Sequence, residues 1–190
     1  MFLASRPSDE LIRDFLRHSK TLPLSYRRGD PGENPFAGFR LDEASGLLGF
    51  GEATLQLAKR ALSEWRHFDL GWVELYPADA EIEQGTVVAV LVRHLGFWSL
   101  NGCRVLELTG GRESGPLFGF SYGTLTNHAE MGEELFEVNL NAETGEVTYR
   151  IRAFSKPRAA LARIGYPITR SLQARFRRDS IAAMQRAVKT

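Results

Sequence analysis

The sequence predicts an α+β fold in which a curved, seven-stranded antiparallel sheet wraps around a long C-terminal helix. Two observations predict it. Between residues 71 and 153, short apolar runs alternate with turns, which is the pattern of consecutive β-strands. Strands this close in sequence pair antiparallel, and an amphipathic helical pattern after Pro157 can cover their apolar face. Since no repeat or linker divides the chain, we expect a single domain over residues 1–190.

The N-terminal part predicts an added helix, one strand and a central helix. Ser8 can cap an amphipathic helix whose first turn carries Asp9 and Glu10. Residues 22–28 (LPLSYRR) alternate like a strand, and residues 29–38 form a Gly- and Pro-rich loop, either a flap over a pocket or a plain connection. A helix follows from about Gly51 to Phe68, with its apolar positions at helical spacing.

Six further strands are predicted between Gly71 and Ala153, with the sequences GWVELYP, TVVAVLVRHLG, FWSLNGCRVLEL, LFGFSYGT, ELFEVNL and EVTYRIRAF. The helical period then returns. Its apolar stripe consists of Leu161, Ile164, Ile168, Leu172, Phe176, Met184 and Val188. Because Gly165 and Pro167 interrupt a helix, the uninterrupted part should begin near Ile168.

The composition, 43% hydrophobic and 25% charged, is typical of a globular protein. The single Cys103 excludes an intrachain disulfide and a cysteine metal cluster, and we expect it to be a small buried residue. The N-terminus does not resemble a signal peptide, and no apolar run approaches the ~20 residues of a transmembrane segment. We therefore expect a cytoplasmic location and no transmembrane segment.

The net charge of +1 hides an asymmetry along the chain. From Arg150 onward there are eleven basic residues and one acid, Asp179, which gives this end a charge of +10. The basic end either folds against an acidic body or faces an anionic partner.

The candidate site lies in residues 117–140, where two aromatic-rich runs flank a polar turn. If each run is a strand, alternate side chains share one face. The two predicted rows are Phe118, Phe120, Tyr122 and Thr124 on one strand and Glu134, Phe136, Val138 and Leu140 on the other. Glu134 is then a carboxylate in an apolar row, which needs a partner such as Tyr122, Thr124 or a turn residue. The candidate ligand-binding residues are Tyr122, Thr124, His128, Glu134, Phe120 and Phe136.

Each polar candidate has an alternative role. Tyr122 is either a ligand-binding or acid hydroxyl or a core aromatic, and His128 is either an acid–base group or a residue that stabilises a turn. Glu134 is either a structural anchor or a ligand-facing group, and Glu133 lies on the opposite strand face, which excludes a carboxylate dyad. Residues His128, Glu130 and Glu134 match no metal-ligand spacing, so we expect neither a metal nor a cofactor.

The order of elements resembles the helix-grip fold of the START and Bet v 1-like (SRPBCC) superfamily, with the N-terminal helix as an addition. Shorter motifs resemble the DUF1990 (UPF0548) family, whose activity is not established. These motifs are Tyr122-Gly123-Thr124, His128, Gly132-Glu133-Glu134 with Phe136, Trp65 before Gly71-Trp72, Asn101 with Arg104, and Phe154-Ser155-Lys156-Pro157. Two positions depart from that family, which usually has arginine at Lys156 and Pro-Gly at Thr126-Asn127.

Lys156 keeps the positive charge but loses the bidentate fork of arginine, which weakens a carboxylate-clamping role there. Asn127 tolerates a left-handed conformation, so a turn can survive at that position.

Three functions remain open at this point. The leading prediction is a pocket between sheet and C-terminal helix that binds a small, largely apolar molecule. The first alternative is an enzyme that acts on a polyketide-like or carbonyl substrate through Glu134 or His128. The second is an interaction module whose basic C-terminal helix binds nucleic acid or an anionic membrane. We do not expect nucleic acid as the partner, because aromatic residues are not interleaved with the arginines. The pattern predicts no oligomeric state.

Overall fold

The computed structural model describes residues 1–27, 36–157 and 166–189, without the side chains of residues 157 and 166–168. The first half contains β1 (Phe2–Leu3), α1 (Asp9–Ser19), β2 (Arg40–Phe50), α2 (Gly51–Ser63), a 3-10 turn (Arg66–Phe68) and β3 (Val73–Tyr76). The second half contains β4 (Val87–His94), β5 (Phe97–Gly110), β6 (Leu117–Thr124), β7 (Glu130–Leu140), β8 (Glu146–Pro157) and α3 (Tyr166–Ala187).

The sheet has the strand order β2-β8-β7-β6-β5-β4-β3, and β1 pairs with β5 outside this path. All these pairs are antiparallel. With α3 lying across the inner face of this curved sheet, the predicted α+β helix-grip fold is confirmed. The six strands predicted between residues 71 and 153 correspond to β3 through β8.

The seventh strand was predicted in the wrong place. Residues 22–27 form no strand, and Leu24 makes only an isolated bridge to Leu125. Pro23 has no N–H to donate to a strand ladder, which disfavours this segment as a strand. The true edge strand is β2, which pairs with β8 from Arg40 to Phe50. Its inward row includes Asp42 and Gly46, and this hides the apolar alternation that marks a half-buried strand.

The central helix is shorter than predicted. Helix α2 ends at Ser63 instead of continuing to Phe68, because Trp65 takes a left-handed backbone conformation with φ of 57°. Trp65 is buried, and its indole N–H donates to the carbonyl oxygen of Ala80 at 2.7 Å. The burial of the ring and this hydrogen bond offset the cost of a left-handed non-glycine residue, which the helical spacing alone does not reveal.

The two faces of the sheet carry different helices. The inner face packs against α2 and α3 and forms the main core. The outer face carries α1, where Ile12 and Phe15 contact Leu91 and Leu100 in a second, smaller cluster. The Ser8 hydroxyl accepts a hydrogen bond from the Leu11 N–H at 3.3 Å, so the predicted N-cap of α1 is confirmed.

Helix α3 is seated on β2 and β8. A side chain at Gly46 would collide with Ile181, so the glycine allows the close approach of α3 to β2. Tyr149 of β8 and Ser180 of α3 share a buried hydrogen bond of 3.0 Å, and Met184 is fully buried.

The predicted helical stripe is present in α3, where Leu172, Phe176 and Met184 belong to or contact the main core, and Val188, just after the end of α3, contacts it as well. Leu161, Ile164 and Gly165, the side chain of Ile168 and most of the predicted 29–38 loop lie outside the described residues.

The basic C-terminal end is paired in part with carboxylates of the body. Arg170 forms a two-pronged ion pair with Asp42, and a guanidinium nitrogen of Arg150 lies 2.5 Å from a carboxylate oxygen of Glu137. Arg175 and Arg178 both contact Asp179. Carboxylates elsewhere in the chain therefore neutralise part of the positive charge at the C-terminal end. No helix in the described ranges is both long and apolar enough to cross a membrane.

Candidate functional site

The candidate site begins with the pairing of β6 and β7. The register places Phe118 opposite Val138, Phe120 opposite Phe136, and Tyr122 opposite Glu134. This is the pairing of the two rows that the sequence predicts. We call the end with Phe118, Phe120, Phe136 and Val138 the packed half, because all four side chains are at most 1% exposed. The end with Tyr122 and Glu134 is the hollow half, because both residues border a cavity.

The cavity has a volume of about 680 Å³ and lies between the hollow half of the sheet and α3. Its apolar walls include Phe68, Trp72, Val73, Val90, Val92, Leu172 and Phe176. Its polar lining includes Asn101, Thr124, His128, Glu130, Glu134, Gln173 and Arg177, together with the Tyr122 hydroxyl.

Two predicted ligand-binding residues, Phe120 and Phe136, do not border the cavity. Both are fully buried in the packed half, where rings from the segment after α2 cover them. The ring centroid of Trp65 lies 4.9 Å from that of Phe120, and the centroid of His67 lies 4.6 Å from that of Phe136. The predicted contact of these two phenylalanines with a ligand stays a prediction, although in this structure other aromatic rings occupy the space above them.

Tyr122 and Glu134 form one polar unit in the cavity wall. The Tyr122 hydroxyl donates to Oε2 of Glu134 at 3.0 Å, so Glu134 has the partner that its place in an apolar row requires. The Glu134 side chain is only half-buried, and it borders the cavity. Burial raises the pKa of Glu134 to about 7, although the Tyr122 hydrogen bond and the positive Arg177 act in the opposite direction. The carboxyl group is thus both anchored and turned towards the cavity.

Thr124 and His128 border the cavity but are engaged in the β6–β7 turn. Thr124 Oγ1 accepts from the Gly132 N–H at 2.9 Å and lies 2.6 Å from the Ser25 hydroxyl. His128 Nδ1 accepts from the Glu130 N–H at 2.9 Å. These contacts give both side chains a structural role in shaping the turn that closes one end of the cavity.

Helix α3 contributes polar residues that the sequence analysis missed. Gln173 donates its amide to both carboxylate oxygens of Glu130, at 2.9 and 3.0 Å. Burial raises the pKa of Glu130, and the Gln173 hydrogen bond partly opposes this rise. Arg177, one turn further along, has a side chain only 13% exposed. The i, i+4 spacing of Thr169, Gln173 and Arg177 was the available signal, since such residues share one helix face.

Arg177 is a cation of the cavity wall whose charge acts on Glu134. Its guanidinium is 3.7 Å from Asp42, a distance that suits an ion pair but exceeds a hydrogen bond. Arg170 lies closer to Asp42 than Arg177 does, with a hydrogen bond of 2.6 Å. This hydrogen bond lowers the pKa of the Asp42 carboxyl. Within the described part of the chain, Arg177 makes no hydrogen bond, so its N–H groups can meet a ligand oxygen.

Several motif residues prove to be structural. Asn101 holds the β6–β7 turn, because its carbonyl oxygen accepts from the Ala129 N–H at 3.3 Å. Arg104, by contrast, points to the outer face and donates to the carbonyl oxygens of Lys20 and Leu22. A side chain at Gly132 would collide with the Phe154 carbonyl, so glycine is needed where β7 meets β8.

The two departures from the family pattern lie away from the cavity. Lys156 is exposed and sits over the Phe39 ring at 5.9 Å, so it clamps no carboxylate in the cavity. Asn127 does not adopt a left-handed conformation, and it ties the turn to α1 by donating to the Ser19 hydroxyl at 2.7 Å.

Groups for metal or thiol chemistry do not converge here. No cluster of three or more His, Cys, Asp or Glu side chains suited to a metal occurs in ranges 1–27, 36–157 and 166–189. Cys103 is fully buried, as expected, and burial raises the pKa of its thiol well above the ordinary range. A thiol held neutral in this way is a poor nucleophile.

Comparison with known sequences identifies the family. A family model described as a domain of unknown function (DUF1990) matches residues 25–183. A UPF0548 protein of Dictyostelium discoideum is 33% identical, over 99% of this chain and 96% of that protein. A UPF0548 protein of Arabidopsis thaliana is 35% identical, over 80% of this chain and 74% of that protein.

Comparison with solved structures supports the fold. A hypothetical protein of Helicobacter pylori aligns with a TM-score of 0.54 and 9% identity, covering 86% of this chain and 96% of that chain. A protein of Thermus thermophilus aligns with the same TM-score and identity, covering 78% of this chain and 97% of that chain. At such low identity, these similarities concern the fold alone.

Proposed function

This chain belongs to the DUF1990 family, whose description assigns no activity, and we propose that it binds a small, largely apolar molecule in the cavity beside α3. One observation carries the proposal, namely the cavity of about 680 Å³ with apolar walls and a Tyr122–Glu134 pair inside it. Ligand pockets of roughly 300–1,000 Å³ combine such walls with a few polar groups that orient the ligand.

The polar wall favours a ligand that carries an oxygen at one end. Arg177 supplies N–H donors, and Glu134 can be a donor when protonated and an acceptor when ionised. Tyr122 holds Glu134 in position through its hydroxyl. A carbonyl, hydroxyl or carboxylate oxygen placed between Arg177 and Glu134 would satisfy both, while the remainder of the ligand contacts the rings of Phe68, Trp72 and Phe176.

The test compares two identical substitutions in and away from the cavity. Ala153 pairs with Glu134 and borders the cavity, whereas Ala142 is exposed in the turn between β7 and β8. We expect Ala153→Phe to weaken binding of the fluorescent probe anilinonaphthalene sulfonate by about tenfold, since the new ring occupies ligand space. Ala142→Phe should bind the probe like the wild type.

Native mass spectrometry of the same three proteins adds the second measurement, because a co-purified small molecule should be lost only in Ala153→Phe. Unchanged probe binding by a folded Ala153→Phe variant, as judged from its thermal melt, would refute the proposal.

A second candidate function is proton transfer on a bound carbonyl compound. The observation that favours it is the pKa of Glu134 near 7, caused by burial, because both protonation states are then populated at neutral pH. Such a group could exchange a proton next to a ketone carbonyl. The test is deuterium uptake from heavy water by an aryl ketone such as tetralone. Uptake by the wild type that disappears in Glu134→Gln supports this function, and equal rates in both proteins remove it.

A further inference from the structure

We propose that the mouth of the cavity docks on an anionic lipid surface through an apolar lip formed by Phe2, Leu95 and Phe97. The lip lies on β1 and on the turn that joins β4 to β5, and all three residues border the cavity. The inference goes beyond ligand binding, because it concerns the surface that the cavity mouth contacts. It does not require that the ligand be known.

The lip exposes three large apolar side chains at one place. Leu95 is 71% exposed, Phe2 is 66% exposed and Phe97 is 55% exposed. Pairing between β1 and β5 brings them together, since Phe2 lies opposite Ser99, two residues from Phe97. A single exposed apolar residue is ordinary, but a cluster of three at a cavity mouth marks an interaction surface.

The lip lies at the tip of a two-residue β-hairpin turn. His94 pairs with Phe97, and Leu95 and Gly96 between them have φ of 47° and 81°. A tight hairpin turn of this kind requires positive φ at both central positions, and asparagine followed by glycine adopts it most readily. Leucine is disfavoured in this conformation, and most of the Leu95 side chain faces solvent. The turn therefore carries a large apolar residue at a position where neither the backbone conformation nor core packing favours one.

Arginines near the lip favour an anionic partner, whereas the carboxylates of the cavity lining, Glu130, Glu133 and Glu134, lie on β7 and not in the lip. Arg93 precedes the lip on β4 and lies over the Trp98 ring at 5.9 Å. On α3, Arg175 lies over the ring of the cavity-lining residue Trp72 at 4.4 Å, and the Arg178 side chain is 74% exposed. Asp179 is the carboxylate that Arg175 and Arg178 both contact, so positive charge is in excess there.

Apolar and aromatic side chains flanked by arginine are the pattern that binds the interface of anionic membranes. A lipid surface also accepts an apolar lip without the shape complementarity that a protein partner requires. These features favour a lipid surface over a protein as the occupant.

The test is co-sedimentation of the full chain with vesicles of phosphatidylcholine alone or mixed with phosphatidylserine. We expect binding to the mixed vesicles that weakens as salt rises, because the arginines contribute through screened charge. Leu95→Asn should reduce the partition coefficient by about tenfold, since it removes the most exposed apolar anchor. Asparagine tolerates the left-handed backbone, so the melting temperature should stay the same or rise.

The matched control is Leu108→Asn. Leu108 is 43% exposed on β5 and is not among the cavity-lining residues. This variant should bind vesicles like the wild type. Equal loss of binding in both variants would mean unspecific adsorption and would overturn the proposal, as would equal binding to both vesicle types or to neither. A dimer in solution that Leu95→Asn dissociates, without vesicle binding, would assign the lip to a second copy of the chain and also overturn it.

Probe binding in the cavity is measured without vesicles. Failure of the lip proposal therefore leaves the ligand-binding proposal intact, and the reverse also holds.

Discussion

The packed half and the hollow half of the sheet are built from the same two strands, yet one is filled and the other encloses a cavity. In the packed half, Phe120 and Phe136 are covered by the rings of Trp65 and His67. In the hollow half, Tyr122 and Glu134 face the cavity across which Gln173 and Arg177 lie on α3. The difference follows from what covers the strands, since the rings of Trp65 and His67 fill the space above the packed half, whereas Phe68 of the same segment borders the cavity. The fold thus separates a fully packed region from a region that encloses a cavity.

Each half also has a buried acid–base group, and burial shifts the pKa values of these two groups, Glu134 and His67, in opposite directions. Burial raises the pKa of Glu134 in the hollow half to about 7 and lowers the pKa of His67 in the packed half to about 3. Neither ring nitrogen of His67 has a hydrogen-bond partner among the described residues. Glu134, by contrast, has both Tyr122 and access to the cavity.

The largest expected effect comes from truncating a ring in each half. Phe136→Ala should lower the free energy of unfolding by about 3–5 kcal/mol, because it leaves a cavity in a fully packed region. Phe176→Ala removes a ring that already borders empty space, so its cost should be about half as large. Urea unfolding of both variants measures this contrast, and equal costs would contradict the division into two halves.

A smaller effect is expected from the pH dependence of Glu134. Its pKa is about 7 in the folded protein and 4.5 as the ordinary value, so the unfolded state loses the proton first. The stability from protonated Glu134 is complete below pH 4.5 and is lost as pH rises through 7. We expect the wild type to lose about 2–3 kcal/mol relative to Glu134→Gln between pH 5 and pH 8. Parallel stability curves in urea titrations at these pH values would disprove a raised pKa.

The smallest effect has the opposite sign and belongs to His67. Its pKa is about 3 in the folded protein and 6.5 as the ordinary value, so the unfolded state gains a proton first as pH falls. The stability that neutral His67 contributes is therefore fully present above pH 6.5 and is lost as the pH falls towards 3. We expect the wild type to lose about 2 kcal/mol relative to His67→Phe between pH 7 and pH 5.

At pH 7, His67→Phe should be neutral or stabilising, because it removes two ring nitrogens without partners from an aromatic site. Thermal melts at both pH values check this, and a destabilised His67→Phe at pH 7 would indicate that the imidazole makes a needed contact.

The sequence alone determined six strands of the sheet and the two side-chain rows that meet at the centre of the site. Alternation over short runs predicts β3 through β8, and it places Tyr122 and Glu134 in two rows that the pairing of β6 with β7 brings together. These features are local, because a strand has a period of two and a short turn sets its register. The resemblance to a family of helix-grip type also rested on motifs readable in the chain.

Only the tertiary structure decided which polar and aromatic residues border the cavity. Phe120 shares a strand face with Tyr122, but rings from the 3-10 turn after α2 cover it. Arg177 lies more than forty residues from Glu134 in sequence, and the crossing of α3 over the sheet brings it to the same cavity wall. Strand β2 was missed because its inward row holds Asp42, which is buried only because α3 places Arg170 against it. The periodicity of a sequence predicts on which face of a strand or helix a side chain lies. Whether that side chain is buried depends on which other parts of the chain pack against that face.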